Sequence, residues 1–298
     1  MAESGLLPGV HIITATPFLP DESLDEASVA TLVAACAAAG AEGMVILGVM
    51  GEADRLSDAE RERVIDRFVA ENAGRMQITV GVTAAGTHAT RERARDAVRR
   101  GAQAVMVSPA FGMSAGPSLR DHFQRIGDGL AAPVVVQDHP PSSGVKMPIA
   151  FIAELAEVLP PGSSAKLEDP PTSLRMAELR SLTDALSIYG GSGGVYLLPE
   201  LDAGADGAMT GFALLPALVQ IVRDFRGGNR EAARATYERL LPLMLLESQP
   251  GLATGIRKEI LRRNGALAHP TVRQPAPPLT PTTLAELDKL LDELSRPD

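Results

Sequence analysis

Ser163-Ser164-Ala165-Lys166-Leu167-Glu168-Asp169-Pro170 lies between two breaks, Pro160-Pro161-Gly162 before it and Pro170-Pro171 at its end. It reads as a brief strand. Alternation along a strand sends Lys166 and Glu168 to one face and Ala165 and Leu167 to the other. A lysine on the inner face of a buried strand is costly unless it is paired, deprotonated or used in chemistry. Taken alone, the run supports two readings: an ion pair at a strand end, or an amine held ready to form an imine with a carbonyl. Its place in the chain decides between them.

Toward the amino terminus, His11–Thr16, Met44–Leu47, Gln77–Val82, Ala104–Val107 and Pro133–Asp138 are apolar runs of strand length, and Leu186–Tyr189 and Gly207–Thr210 follow on the other side. Helical patterns fall between them: Asp25 to Ala39, stopped by Gly40; a helix opened by the capping box Ser57-Asp58-Ala59-Glu60; an Arg-rich helix that Thr87 can cap; Ser118 to Leu130; Pro148 to Val158; and Val195 to Leu201. Four more follow, at Pro216–Arg226, Arg230–Leu246, Thr254–Asn264 and, after Pro275-Ala276-Pro277-Pro278, Pro281–Leu294. Short strands alternating with helices through tight connections predict the α/β class and a (β/α)8 TIM barrel over residues 1–215. The last barrel helix and a carboxy-terminal helical extension, residues 216–298, are expected to pack on the barrel as one structural unit. A doubly wound open sheet would want a Gly-rich dinucleotide turn after its first strand, and Pro17-Phe18 is not one.

In such barrels the chemistry sits where strands end and loops begin. Lys166 is near the end of the sixth strand, Gly48-Val49-Met50-Gly51-Glu52 follows the second, Gln137-Asp138-His139 the fifth, and Gly190-Gly191-Ser192-Gly193-Gly194 the seventh. These rims converge on one mouth, which favours the reactive amine over the bland ion pair.

Composition narrows the function classes. The 298 residues carry 28 basic and 37 acidic side chains, a net charge of −9, with no basic cluster, so neither nucleic acid nor an anionic membrane is an expected partner. Met1–Gly5 has no secretory pattern and no apolar run is long enough to span a bilayer, so a soluble cytoplasmic protein is expected. Cys36 stands alone in an Ala-rich helix, which excludes an internal disulfide, and no histidine–carboxylate set has ligand spacing, so no metal is expected. Ser108, Ser142 and Ser192 lack an arranged histidine, against a serine hydrolase. His11 reads as a barrel-interior or interface residue; His88, His122 and His269 read as helix or tail surface.

At these residues the chain resembles the dihydrodipicolinate synthase/N-acetylneuraminate lyase family of Schiff-base lyases. The resemblance runs through Thr16-Pro17-Phe18, Gly48-x-x-Gly51-Glu52, Leu56-Ser57-x-x-Glu60-Arg61, Gly81-Val82, Ser108-Pro109, Lys166 and Gly204-Ala205-Asp206-Gly207-Ala208-Met209-Thr210. It implies a lysine that condenses with a 2-oxo acid, commonly pyruvate, without any cofactor, and a homotetramer built as a pair of tight dimers. An imine needs a neutral amine, and once protonated it draws electrons from the adjacent carbon, so carbon–carbon cleavage or formation, or loss of water, becomes possible. Backbone amides at Gly48, Gly51 and Gly191 are expected near the oxo acid's carboxylate.

The chain also departs from the family pattern. Two hydroxyl residues usually stand between the glycines after the second strand; here they are Val49 and Met50, leaving chiefly the amides of Met50 and Gly51. The usual proton-transfer tyrosine of strand five aligns with Gln137, the tyrosine that a neighbouring subunit contributes aligns with Phe111, and the arginine after strand five aligns with Ser142. Gln137 can orient a substrate but cannot titrate. His139 either takes up the acid–base work or is a turn histidine beside Pro140-Pro141. Glu168 either tunes Lys166 and acts as a base or is its structural counter-ion; Ser192 and Met209 complete the candidate pocket. The expected activity is therefore an aldolase or dehydratase on a 2-oxo acid or related carbonyl, other than the lysine-biosynthetic synthase. The rival is a non-catalytic ligand-sensing member that keeps the barrel and the lysine.

Overall fold

The computed structural model describes residues 5–296. Strands β1 (Val10–Ile13), β2 (Gly43–Ile46), β3 (Gln77–Gly81), β4 (Ala104–Val107), β5 (Val134–Asp138), β6 (Ser164–Leu167), β7 (Ser187–Gly190) and β8 (Gly207–Thr210) form a closed barrel in chain order. Every neighbouring pair is parallel, β8 with β1 included. This is the (β/α)8 barrel that the alternation of runs predicts.

Around it lie α1 (Glu26–Ala39), α2 (Asp58–Asn72), α3 (Thr87–Arg99), α4 (Pro117–Gly127), the one-turn α5 (Pro140–Ser143), α6 (Ile149–Leu155), α7 (Thr172–Leu182), α8 (Leu197–Asp202) and α9 (Leu215–Arg226). The extension adds α10 (Arg230–Leu246), α11 (Ala253–Arg263) and α12 (Pro281–Ser295), with α10 lying against α8, α9 and α12. No helix among the described residues is long and apolar enough to cross a membrane.

Local chemistry explains the helix ends. Asp25 caps α1 by accepting from the Ser28 amide at 3.2 Å, and Gly40 ends it at φ 79°, a left-handed turn that glycine enters without a Cβ penalty. The capping box of α2 is formed from both sides, Ser57 amide to Glu60 at 2.9 Å and Glu60 amide to Ser57 at 3.3 Å. Thr87 does not cap α3; Gly86 holds that position, and the Thr87 hydroxyl instead meets His122 Nδ1 at 2.9 Å. His122 is accordingly buried, not on the surface, its ring edge-on to Phe123.

Side chains alternate as the period requires. Ile13, Val45, Ala104, Met106, Val135, Tyr189 and Met209 fill the barrel interior, while a second apolar layer packs between strands and helices. His11 lies within the barrel, Nε2 2.8 Å from the Leu7 carbonyl and its ring edge-on to Tyr189, whose hydroxyl donates to the same carbonyl at 3.0 Å. Residues 6 and 7 thereby plug the amino-terminal end and leave the other end open.

The extension is tied to that open end by charge. Lys258 on α11 is fully buried and donates to Glu52 at 2.5 Å and to the Thr271 carbonyl at 2.7 Å, with its ammonium 4.3 Å above the Phe18 ring. Glu52 also accepts from Arg55 and from the Arg273 amide, each at 2.9 Å. Burial lowers the Lys258 pKa to about 8, the Glu52 charge working against that fall. Removing one partner of such a pair strands a charge in a dry site, so Lys258→Met is expected to cost about 3 kcal/mol in denaturant unfolding, with Lys258→Met/Glu52→Gln recovering most of the loss.

Candidate functional site

The parallel register sets Gln137 beside Lys166 and Lys166 beside Tyr189, all on the inner face. One step further along the sixth strand, Glu168 returns to that face. Its Oε2 lies 2.9 Å from Lys166 Nζ and accepts from Gln137 Nε2 at 2.9 Å, while Oε1 accepts from the Ser192 amide at 3.1 Å. Both charged side chains are almost wholly buried. Burial pushes the Glu168 pKa up, but the charges of Lys166 and then His139, with the Gln137 and Ser192 hydrogen bonds, outweigh it and hold the carboxyl below its ordinary value.

The seventh-strand loop is shaped around this carboxylate. A Cβ on Gly191 would stand 2.3 Å from Glu168 Oε1, so no other residue fits there without moving it. Ser192 adopts φ 48°, a left-handed conformation that the hydrogen bond from its amide to Glu168 helps to hold. Leu47 and Glu52 carry positive φ as well, on the facing loop.

A cavity of about 730 Å³ opens at the mouth between the loops after β2, β3, β4 and β5. Gly48, Val49, Phe111 and Gln137 line it with Thr83 and Ser108; Lys166, Glu168, His139, Met50, Gly51, Gly191 and Ser192 are not on its wall, and Glu168 is linked to it by the hydrogen bond from Gln137. Gly51 gives its amide to the Gly48 carbonyl and Glu52 gives its amide to Val49, each at 3.0 Å. The amides of Gly48, Val49 and Met50 keep no backbone partner among the described residues, so of the expected pair Met50 and Gly51 only that of Met50 is unspent. Val49 and Phe111 are 57% and 91% exposed on the rim, the Phe111 ring packing over Gly144. Met209 is fully buried among the interior residues below the mouth and does not reach the cavity wall.

His139 caps the one-turn α5, its Nδ1 2.8 Å from the Ser142 hydroxyl. Burial lowers its pKa, with Glu168 opposing and Lys166 adding to the fall, so the ring sits within the field of the pair. Asp138 faces outward, 2.5 Å from Arg175; burial raises it to about 6 against the pull of that arginine.

Two features were not legible as site components. Arg61, seen in sequence only as part of a motif, donates to the Gly81 carbonyl at 2.7 Å and the Ala53 carbonyl at 3.1 Å, locking the β2 loop to the end of β3. Glu200 is buried on α8 behind the seventh strand, where a Cβ on Gly190 would meet its Oε2 at 1.8 Å. Neither of its carboxyl oxygens has a hydrogen-bond partner at ordinary distance among the described residues. Burial raises its pKa to about 8, the Thr172 hydroxyl offsetting part of the rise and the Glu168 charge adding to it. The one sequence signal was a carboxylate inside the apolar run Leu197-Leu198-Pro199-Glu200-Leu201. Among the described residues, no group of three or more His, Cys, Asp or Glu side chains could hold a metal ion.

Residues 7–294 match the profile of the dihydrodipicolinate synthetase family. L-2-keto-3-deoxyarabonate dehydratase of Azospirillum brasilense is 32% identical over 290 residues, covering 94% of this chain and 92% of that protein. 4-Hydroxy-tetrahydrodipicolinate synthase of Xanthomonas campestris is 30% identical over 277 residues, covering 87% and 91%. Among solved structures, dihydrodipicolinate synthase from Rhodopseudomonas palustris superposes with a TM-score of 0.91 at 34% identity, covering 97% of this chain and 99% of that one.

Glu200 makes the site's surroundings pH-sensitive in a definite direction. With a folded pKa of about 8 against an ordinary 4.5, the folded chain binds more protons than the unfolded chain between those values, so this contribution is full below pH 4.5 and falls away as pH rises through 8. Asp138 and Glu247, raised to about 6 and about 7, have the same sign. Glu200→Gln, which copies the protonated carboxyl, is expected to flatten the decline in melting temperature between pH 5 and 9 and to raise it by at least about 3 °C at the alkaline end.

Proposed function

Because this chain belongs to the dihydrodipicolinate synthetase family, we propose that it is a Schiff-base lyase whose Lys166 condenses with a 2-oxo acid, pyruvate or a longer-chain analogue. The observation that carries the reading is the Lys166–Glu168 contact of 2.9 Å inside the barrel mouth. Glu168 is positioned to take the proton that the amine must lose before it can attack. The neutral amine adds to the C2 carbonyl, water leaves, and a C=N bond forms. Removal of a C3 proton then sends electrons to the imine nitrogen and gives an enamine. In dehydration the enamine expels the C4 hydroxyl, which leaves with a proton as water. In aldol cleavage C3 is not deprotonated: the C4 hydroxyl of the protonated imine loses its proton, and the C3–C4 bond breaks with its electrons passing to the imine nitrogen, giving an enamine that takes a proton at C3. Hydrolysis of the imine restores Lys166. The imine is the electron sink, so the reaction calls for no metal or organic cofactor.

Dehydration of a hydroxylated 2-oxo acid is the favoured direction. It is supported by the likeness to the Azospirillum dehydratase and by Ser142, which stands where a second-carboxylate arginine would serve a dipicolinate-type synthesis. Glu168 is the preferred base at C3, because its carboxyl stays ionised and within reach of the imine nitrogen; Gln137 orients the pair, and His139 lies in its field. The exposed Phe111 and Val49 beside the cavity support a neighbouring subunit against this rim, within a cytoplasmic homotetramer.

Two measurements test this. Borohydride added with pyruvate, or with larger 2-oxo acids, is expected to leave a reduced adduct on the peptide containing Lys166, and Lys166→Ala, folding normally by circular dichroism, is expected to lose both adduct and turnover. Adducts elsewhere, or none with any 2-oxo acid, overturn the reading. Light scattering is expected to give four chains per particle, and Phe111→Asp fewer.

A further inference from the structure

Almost every arginine of this chain is engaged. Among the described residues, all but two of those that precede Arg296 bring the guanidinium to a carboxylate or a backbone carbonyl. The exceptions are Arg223 and Arg226, both exposed in the last turn of α9. In a chain with 37 acidic against 28 basic side chains, carboxylates are in surplus, so two unclaimed guanidiniums call for a reason.

The two line one cavity. It measures about 270 Å³ and lies at the amino-terminal end of the barrel, away from Lys166, with Pro8, Glu42, Val219 and Val222 also on its wall. Residues three apart on a helix share a face, so the pair presents its donors together. Arg223 rests against the end of α1, where a Cβ on Gly40 would stand 2.6 Å from its Nη2. A cation at a helix end suits the helix dipole. Neither guanidinium bonds a carbonyl there among the described residues, so that attraction leaves their donors open.

Glu42 brings the opposite charge. Its Oε2 accepts the Val10 amide at 2.7 Å, and Gly9, at φ 144°, lies so close that a Cβ there would stand 2.2 Å from the same oxygen. The carboxylate is therefore held in place, while its Oε1 has no partner among the described residues and is not sealed from solvent. Glu42 forms no ion pair with either arginine among the described residues, although all three line the cavity. Val219 and Val222 are buried beneath them as an apolar floor.

We infer that this cavity binds a small amino acid zwitterion, its carboxylate on Arg223 and Arg226, its ammonium on Glu42 and its carbon body over Val219 and Val222. A simple anion would meet Glu42, and a simple cation would meet two guanidiniums; a molecule with both charges answers all three groups. Guanidinium donors match a carboxylate in shape as well as in charge. The volume lies just under the range of drug-sized pockets, which suits a ligand of this size. The site is independent of the imine chemistry at the other end of the barrel.

The test is the melting temperature, at constant ionic strength, with L-valine, its isomer 5-aminopentanoate, pentanoate, which lacks the ammonium, and pentylamine, which lacks the carboxylate. At about 20 mM, L-valine or 5-aminopentanoate is expected to raise the wild-type value by about 2 °C or more, because a ligand held only by the folded chain stabilises it by mass action. The better isomer reports the spacing of the two charges. Pentanoate and pentylamine are expected to give less than about half that shift. Arg223→Gln/Arg226→Gln is expected to abolish it, and Glu42→Gln, which still accepts the Val10 amide, to bring both zwitterions down to the level of pentanoate. Melting temperatures without probe establish that the variants fold. No shift with either zwitterion in the wild-type chain, or a shift that survives in both folded variants, overturns the site. Pentanoate acting as strongly as the zwitterions overturns the part given to Glu42 and the ligand class with it.

Discussion

A glutamate and a lysine 2.9 Å apart inside a barrel mouth set the terms for everything around them. Two charges taken out of water are costly even when paired, and the remaining lone pairs of the carboxylate must find donors. Here Gln137 comes from β5 and the Ser192 amide from the loop after β7, so three neighbouring parts of the sheet are committed to one carboxylate. The commitment reaches the backbone: Gly191 leaves room for Glu168, Ser192 accepts a left-handed φ, and Gly190 leaves room for Glu200 behind it. Gly190 and Gly191 are glycines because carboxylates press on them from outside and inside the barrel, while Gly193 and Gly194 adopt positive φ.

The opposite side of the mouth is held by the extension. Lys258 and Arg257 are adjacent in sequence yet serve two different carboxylates, Glu52 in the β2 loop and Glu247 at the end of α10. Glu52 in turn accepts from the Arg273 amide, and the Arg273 side chain pairs with Glu60 in the capping box of α2. That guanidinium holds Glu60 down to about 2, through its hydrogen bond above all. The helical tail is therefore part of the mouth's wall, and a change in α11 reaches the loop after β2 through one ion pair.

The barrel was legible because its signals are local: eight apolar runs of strand length, glycine and proline breaks, and a capping box that forms as written. Period two put Lys166 and Glu168 on one face, and the place of the strand in the barrel made that face the inner one. What failed was less local. Helix α7 carries Leu174 and Leu182 in solvent while Met176 and Leu179 are buried, so its apolar pattern does not advertise a helix face. Proline-rich α5 reads as a turn. His122 looked exposed on a polar helix, and only the packing of α3 against α4 buries it. Glu200 left only the weak signal of a carboxylate inside an apolar run, since its burial depends on α8 folding back over Gly190.

The loss of hydroxyl side chains around the lysine also has a physical consequence. A tyrosine beside the imine moves protons through a group that stays neutral, whereas the groups bonded to one another at Lys166 are Glu168, held ionised by Lys166, and Gln137, which cannot titrate. His139 has its Nδ1 occupied by Ser142, leaving one nitrogen for exchange. On the proposed reading, proton movement is then concentrated on a carboxylate that touches the amine itself, so forming the imine removes the charge that keeps Glu168 ionised unless the imine nitrogen is itself protonated. A protonated imine restores that charge and is also the stronger electron sink. The same contact that stabilises the resting ion pair therefore favours the form of the intermediate from which a C3 proton can be taken.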